Sequence, residues 1–148
     1  MILDERTEFA DATALGTSGT GRQLVGDVID LGVTRDVGDG EVMYLVVQVS
    51  TAVTSAGAAT VDFELASDSA ASIATDGSAT VHASTGDIGK ATLVAGYKKV
   101  IPLTVGALYE RYLGIVANVG TAALTAGAIN AFLTKDASVW RAYADASN

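Results

Sequence analysis

The chain has 148 residues, enough for one domain whose hydrophobic core needs neither a disulfide nor a metal ion. It has no cysteine, which excludes thiol chemistry, and its formal net charge of -8 disfavours binding to nucleic acids and to anionic membranes. Apolar residues make up 49% and charged residues 18%, so we expect a folded chain that buries part of its apolar surface in subunit contacts.

The first 22 residues differ from the rest of the chain. They begin with charged residues and continue into the polar, glycine-rich stretch TALGTSGTG, which is typical of a flexible linker. The similar GTSGTGR lacks the lysine of a phosphate-binding loop and precedes no helical pattern, so the linker interpretation is favoured. We therefore predict an N-terminal arm over 1–22 and a β-sandwich domain over 23–148. The arm is either a disordered tail or a segment that becomes ordered on a partner protein. Within residues 2–15, the apolar residues without obvious core partners are the candidate anchors on that partner: Ile2, Leu3, Phe9 and Leu15.

Short runs of alternating apolar and polar residues predict strands, because successive side chains of a strand point to opposite faces of a sheet. In the clearest run Val61, Phe63 and Leu65 share one face. Three further runs share this pattern: Leu45, Val47 and Val49; Leu113, Ile115, Ala117 and Val119; Ile129, Ala131 and Leu133. About eight strands are predicted, over 23–33, 41–50, 59–66, 79–84, 90–95, 97–105, 111–119 and 127–134. That number is typical of a closed barrel or an antiparallel sandwich.

Turn signals separate these runs. RDVGDGE at 35–41 predicts a hairpin-like connection and TDGS at 75–78 a second turn, since Asp-Gly readily supplies positive φ. Pro102 predicts an edge strand or a bulge, because proline cannot donate to a ladder. Near the chain's end, Asp136 or Ser138 is a candidate N-cap of a short helical turn.

The residue types offer little for catalysis, so we expect no enzyme activity, cofactor or metal site. His82 is the only histidine, and without a nucleophile-elbow motif it is expected to be a surface or packed residue. Asp62 and Glu64 share a strand face roughly 7 Å apart, a pair that is expected to be solvated rather than catalytic. DVGDG at 36–40 lacks the spacing of a calcium loop and is expected to be a turn.

Several other residues are candidates for contacts with partners. Lys98 and Lys99 beside Tyr97 form a small basic cluster that suits an acidic patch on another protein, although a charged strand end is the simpler interpretation. Aromatic residues of the kind that is enriched at interfaces could mediate self-association, with core or rim packing as the alternative. These aromatic residues are Tyr109, Tyr112, Trp140 and Tyr143.

Several segments of the sequence resemble the capsid cement, or decoration, proteins of tailed bacteriophages, those of short-tailed Bordetella phages among them. The resemblance covers almost the whole chain and is carried by MILDERTEFADATAL, VIDLG, RDVGDGEVMYLVVQV, VDFELASDSAASI and INAFLTKD.

The resemblance implies a jelly-roll sandwich that is made in the host cytoplasm and binds the outer surface of the virion's capsid. It also implies bridging of neighbouring major capsid proteins by a homo-oligomer, a dimer or a trimer, without a cofactor or activity. A carbohydrate- or receptor-binding module of a virion is the alternative, since jelly rolls also occur in lectins.

Overall fold

The computed structural model describes residues 4–137, which form an all-β fold of two antiparallel sheets. A 3₁₀ turn, Glu5–Thr7, precedes the first strand. In chain order the strands are β1 Glu8–Ala14, β2 Gly21–Asp30, β3 Tyr44–Thr54, β4 Thr60–Asp68, β5 Thr80–Ser84, β6 Ile88–Gly89, β7 Lys98–Pro102, β8 Tyr112–Gly120 and β9 Ala126–Thr134.

The strand order is that of a jelly roll. The first sheet has the order β1-β9-β3-β7 and the second has the order β2-β8-β4-β5, with the short β6 also paired to β4. The chain crosses between the sheets at most connections, so the two sheets cannot form separately. This order corresponds to two Greek keys, which confirms the predicted jelly-roll sandwich and excludes the closed barrel.

The core lies between the two sheets and is built from the alternating runs that the sequence showed. In β4, Val61, Phe63 and Leu65 have at most 1% of their surface exposed. The equivalent alternating residues of β3, β8 and β9 belong to the same buried cluster. The predicted inward faces of these four strands are therefore confirmed.

The prediction of an N-terminal arm is wrong for the residues that the structure describes. Residues 8–14 form β1, which pairs with β9, while Phe9 and Leu15 are 1% and 3% exposed in the core. At Gly26, where φ is +71°, an added Cβ would lie 1.9 Å from the carbonyl oxygen of Phe9. The first strand thus packs closely against β2, and the sandwich begins before residue 23. Ile2 and Leu3 lie outside the described residues.

Other predictions are partly corrected. Residues 35–41 do not form a hairpin, because they belong to a connection between β2 and β3, which lie in different sheets. Residues 90–95 form turns rather than a strand.

The prediction for Pro102 is confirmed, because Pro102 ends β7, an edge strand of the first sheet. Gly77 has a φ of +95° within the predicted turn at 75–78. The predicted C-terminal helical turn lies largely outside the described residues.

A second, smaller apolar cluster lies on the outer face of the second sheet. The connection 69–79 folds back over this face and buries Ile73 against Ala66 and Val116. The carboxylate of Asp68 accepts hydrogen bonds from the backbone N–H groups of Ala70 and Ala74, at 3.1 and 3.0 Å, and so fixes the start of this connection. The outer face of this sheet is therefore partly a packed surface.

Replacing Phe9 by alanine tests whether β1 belongs to the core. We expect Phe9→Ala to lower the free energy of unfolding by about 3–5 kcal/mol, because it leaves a cavity under a fully buried ring. The exposed Asp11→Ala on the same strand should change it by about 0.5 kcal/mol or less. Urea denaturation of both variants measures the difference in the free energy of unfolding. An unchanged midpoint for Phe9→Ala would instead support the predicted N-terminal arm.

Candidate partner-binding surface

Two long connections meet at one end of the sandwich and are hydrogen-bonded to each other. We call this surface, residues 31–43 and 103–111, the loop end. Arg35 and Tyr109 exchange two backbone hydrogen bonds of 3.1 and 3.0 Å, and the N–H of Leu31 donates to the carbonyl of Arg111 at 2.8 Å. The guanidinium of Arg111 also forms two 2.9 Å hydrogen bonds with the carboxylate of Asp30. The loop end is therefore held in one conformation.

Carboxylates fix the turns of the loop end. Asp36 accepts hydrogen bonds from the backbone N–H groups of Gly40, Gly38 and Gly106, at 3.1, 3.2 and 3.3 Å. These donors favour the ionised form and lower the pKa of Asp36. Because Gly106 lies on the other connection, this carboxylate joins the two. The predicted turn at 36–40 exists, and its aspartate serves to hold backbone together.

The loop end presents most of the large apolar side chains that are exposed on the described surface. Seven such side chains are exposed, and four of them lie here. Leu108 is 69% exposed and Val33 is 64% exposed, the two highest values, while Val105 and Val42 are 47% and 41% exposed. Exposed apolar residues on a rigid support are typical of a surface that binds another protein. None of these four residues was among the contacts predicted from the sequence.

An acidic groove of about 820 Å³ borders the loop end. The 3₁₀ turn and the start of β1 form one side of the groove, and the end of β2 forms another. Residues of the connection 31–43 form a further wall. Its charged lining consists of five carboxylates and two guanidinium groups: Glu5, Glu8, Asp11, Asp27, Asp30, Arg6 and Arg35. Burial raises the pKa of Glu8, and the negative charges of Asp11, Glu5 and Asp27 raise it further. Negative charge is thus concentrated in the groove, and its burial and mutual repulsion lower the stability of the folded state.

The predicted partner-binding residues do not form one site. Lys98 and Lys99 lie on β7, at the edge of the first sheet.

Tyr109 is only 1% exposed, so its proposed role as a surface aromatic residue is wrong. Its ring packs in the core beside that of His82, with ring centroids 4.3 Å apart. Tyr112 is half-buried at the start of β8, with the guanidinium of Arg111 5.0 Å from its ring centroid. Trp140 and Tyr143 lie outside the described residues.

His82 is a packed residue. Its Nε2 lies 2.7 Å from the Oγ of Ser67, which also accepts a hydrogen bond of 3.2 Å from the backbone N–H of Glu110. Burial lowers the pKa of His82, and the nearby charge of Glu110 opposes this shift. A serine–histidine pair resembles a nucleophile with its base, but Ser67 is fully buried. A substrate has no access to this hydroxyl.

The two carboxylates of β4 share the outer face of the second sheet, as predicted, but each is engaged in hydrogen bonds. Glu64 is only 5% exposed and forms a bidentate pair with Arg22, with N–O distances of 2.9 and 3.0 Å. Asp62 accepts hydrogen bonds from the hydroxyls of Ser84 and Thr85. The expectation that both are solvated is wrong for Glu64, because a guanidinium from β2 covers it.

No three or more histidine, aspartate or glutamate side chains within residues 4–137 are grouped in a way that could hold a metal ion. Over the same residues, no helix is long and apolar enough to cross a membrane.

The fold defines the chain as a jelly-roll sandwich protein, an architecture found in viral capsid proteins and in lectins. Comparison with known families is more specific. The chain belongs to the Bbp16 family, whose model matches residues 9–133. This is a protein family of Bordetella phages, so the chain is a phage-related protein. No curated protein matches the chain.

Glu8→Gln tests the electrostatic cost of the groove. The raised pKa means that the folded state binds the proton of Glu8 more tightly than the unfolded state does, so this group lowers stability once pH exceeds its unfolded pKa. We expect Glu8→Gln to raise Tm at pH 7, by an effect of about 0.5 kcal/mol or less, and to lose this advantage below about pH 4. Thermal unfolding at both pH values measures it, with the exposed Asp87→Asn as the control. A Glu8→Gln variant that is less stable than the wild type at pH 7 would contradict the prediction that the charge of Glu8 destabilises the fold.

Proposed function

We propose that this protein is a non-catalytic capsid cement protein that binds the outer surface of a phage head and bridges neighbouring major capsid proteins. Membership of a phage protein family supports a role in the particle. The observation that carries the proposal is the loop end, where exposed apolar side chains stand on two connections that are tied by hydrogen bonds. Such a surface loses little conformational entropy when it binds.

Binding through this surface would stabilise the shell by mass action. Pressure from packaged DNA separates the subunits of a shell, and a ligand that contacts two neighbouring subunits stabilises their joined state. We propose that the protein binds as a homo-oligomer, a dimer or a trimer, so that several weak contacts act together. Lys98, Lys99 and Tyr112 remain predicted contacts for the capsid or for a second copy.

The alternative, a carbohydrate- or receptor-binding module, has weaker support. Sugar sites commonly present an exposed aromatic ring on a concave surface, and the groove is one concave feature of the described residues. The single aromatic residue in its described lining is Phe9, which is 1% exposed and cannot stack on a ligand. Binding of defined glycans on an array would revive this alternative.

Charge placed on the loop end tests the proposed function. We expect Leu108→Asp and Val33→Asp to weaken binding to expanded heads that lack the protein by about tenfold or more, because each removes a large apolar contact and places a charge in the interface. Val94→Asp, at an exposed valine in the turns before β7 at the opposite end, is the matched control and should bind normally. Titration with counting of bound copies per major capsid protein measures the effect.

Two results would contradict the proposal. Folded wild-type protein that does not bind the heads would remove the cement function. Normal binding by both loop-end variants, with weak binding by Val94→Asp, would move the contact to the other end of the sandwich.

A further inference from the structure

The groove between β1 and β2 combines half-buried apolar side chains with charged walls. β1 is an edge strand of the first sheet and β2 is an edge strand of the second, so the groove lies where the edges of the two sheets meet. Ile29, Leu31 and Val37 line it, and they pack against the core cluster while part of their surface stays exposed. The groove therefore offers apolar surface to a ligand as well as charge.

Three carboxylates of the groove have no cationic partner among residues 4–137. Glu8 and Asp11 of β1 and Asp27 of β2 form no salt bridge with a described lysine or arginine. Arg6 and Arg35 also belong to the lining, but its carboxylates outnumber these two guanidinium groups. Burial raises the pKa of Glu8, and repulsion from the neighbouring carboxylates raises it further. A cation that enters the groove would therefore relieve repulsion that the fold leaves in place.

We propose that this groove binds an extended segment of a partner protein, in which lysine or arginine side chains flank an apolar side chain. The cationic side chains lie against Glu8, Asp11 and Asp27, and the apolar side chain packs on Ile29 and Leu31. The groove volume of about 820 Å³ is in the range of sites that enclose a ligand of many atoms. β1 has seven residues, so roughly 20 Å of strand is available to an extended chain.

The apolar part of the groove distinguishes a protein segment from a simple cation. Within residues 4–137, no three histidine, aspartate or glutamate side chains are grouped so that they could hold a metal ion. A polyamine carries positive charge, but it has no apolar side chain to place on Ile29 and Leu31. The excess of carboxylates repels a nucleic acid. A basic segment with an apolar side chain matches both the charge and the apolar surface of the groove.

The groove is continuous with the loop end. The connection 31–43 forms one of its walls, and the same connection carries the exposed side chains of Val33 and Val42. A partner bound at the loop end therefore lies next to the groove and can place a segment in it. Under the proposed function, this partner is the major capsid protein. That assignment rests on the proposed function, whereas the preference of the groove for a basic segment does not.

A synthetic peptide tests the groove on the full-length protein. The probe is fluorescein-labelled KRLVRK, in which basic residues flank two apolar ones, and fluorescence anisotropy at low salt measures its Kd. We expect Asp11→Asn and Asp27→Asn each to weaken binding by about threefold, because each removes one ion pair. Asp87→Asn, at an exposed position between β5 and β6, removes the same charge elsewhere and should leave the Kd unchanged. Wild-type protein that does not bind the peptide, or equal weakening by all three variants, would overturn the proposal.

A second peptide separates a protein segment from a simple cation. Replacing the leucine and valine of the probe by serine keeps its charge but removes the apolar side chains. We expect this peptide to bind about fivefold more weakly than the first or worse, because less apolar surface leaves water. Equal affinity of the two peptides, or full displacement of the first by an equal concentration of spermidine, would make the groove a site for simple cations and overturn the proposal.

Titration onto expanded heads separates this inference from the proposed function. We expect Asp11→Asn and Asp27→Asn to weaken binding to the heads as they weaken binding to the peptide, with Asp87→Asn again as the control. Wild-type protein that binds the peptide but not the heads would contradict the proposed function and leave the groove assignment standing. Wild-type protein that binds the heads but not the peptide, with both groove variants unaffected, would overturn the groove assignment alone.

Discussion

The insertion of β9 between β1 and β3 is the constraint on which the rest of the sandwich depends. β9 pairs with both neighbours, and it is the last strand of the described chain. Its inner residues, Ile129 and Leu133, enter the core, while Phe132 faces the other way. Because the first sheet cannot be completed until this distant segment arrives, its stability rests on contacts between residues far apart in sequence. Such non-local pairing is expected to fold slowly and cooperatively.

The apolar composition of the chain is explained largely within the molecule. A sandwich with two solvated outer faces would need apolar residues mainly at alternate positions of its strands. Here the outer faces carry buried apolar residues as well, at Ala66, Val116, Val46 and Phe132. The composition alone predicts that part of the apolar surface is buried in subunit contacts. Packing on the outer faces accounts for part of that apolar surface, while the loop end carries four of the seven large apolar side chains that are exposed in the described part of the chain.

The sequence predicted those elements in which local pattern and burial agree. β3, β4, β8 and β9 alternate regularly, so their inward faces were identified correctly. β1 was missed because its pairing with β9 shifts register twice, between Glu8 and Ala10 and again between Ala10 and Thr13. Phe9 and Ala10 are both buried although they are adjacent, and such a pattern does not have the two-residue period of a strand.

The candidate site was less predictable than the fold, because it is made by contacts between distant segments. Val33 and Leu108 belong to one surface through hydrogen bonds between the two connections, among them the backbone pairing of Arg35 with Tyr109. Glu64 is shielded only because Arg22 of another strand reaches it. The local pattern of apolar and polar residues along the sequence indicates neither of these two pairings. The aromatic residues were weighed as interface candidates by type, yet Tyr109 fills the core, since residue type alone does not determine burial.

The edge strands β7 and β5 are unsuited to pairing with other chains. β7 contains two lysines and ends at Pro102, and β5 is only five residues long; short or charged edges discourage the addition of a strand. The apolar side chains of the loop end lie beside a groove whose lining contains five carboxylates and two arginines. Under the proposed function, repulsion between these grooves would disfavour direct contact between two loop ends. A partner with an apolar centre and a basic rim would satisfy both parts of the surface, and it would bind in a defined orientation because charge and apolar contact lie side by side.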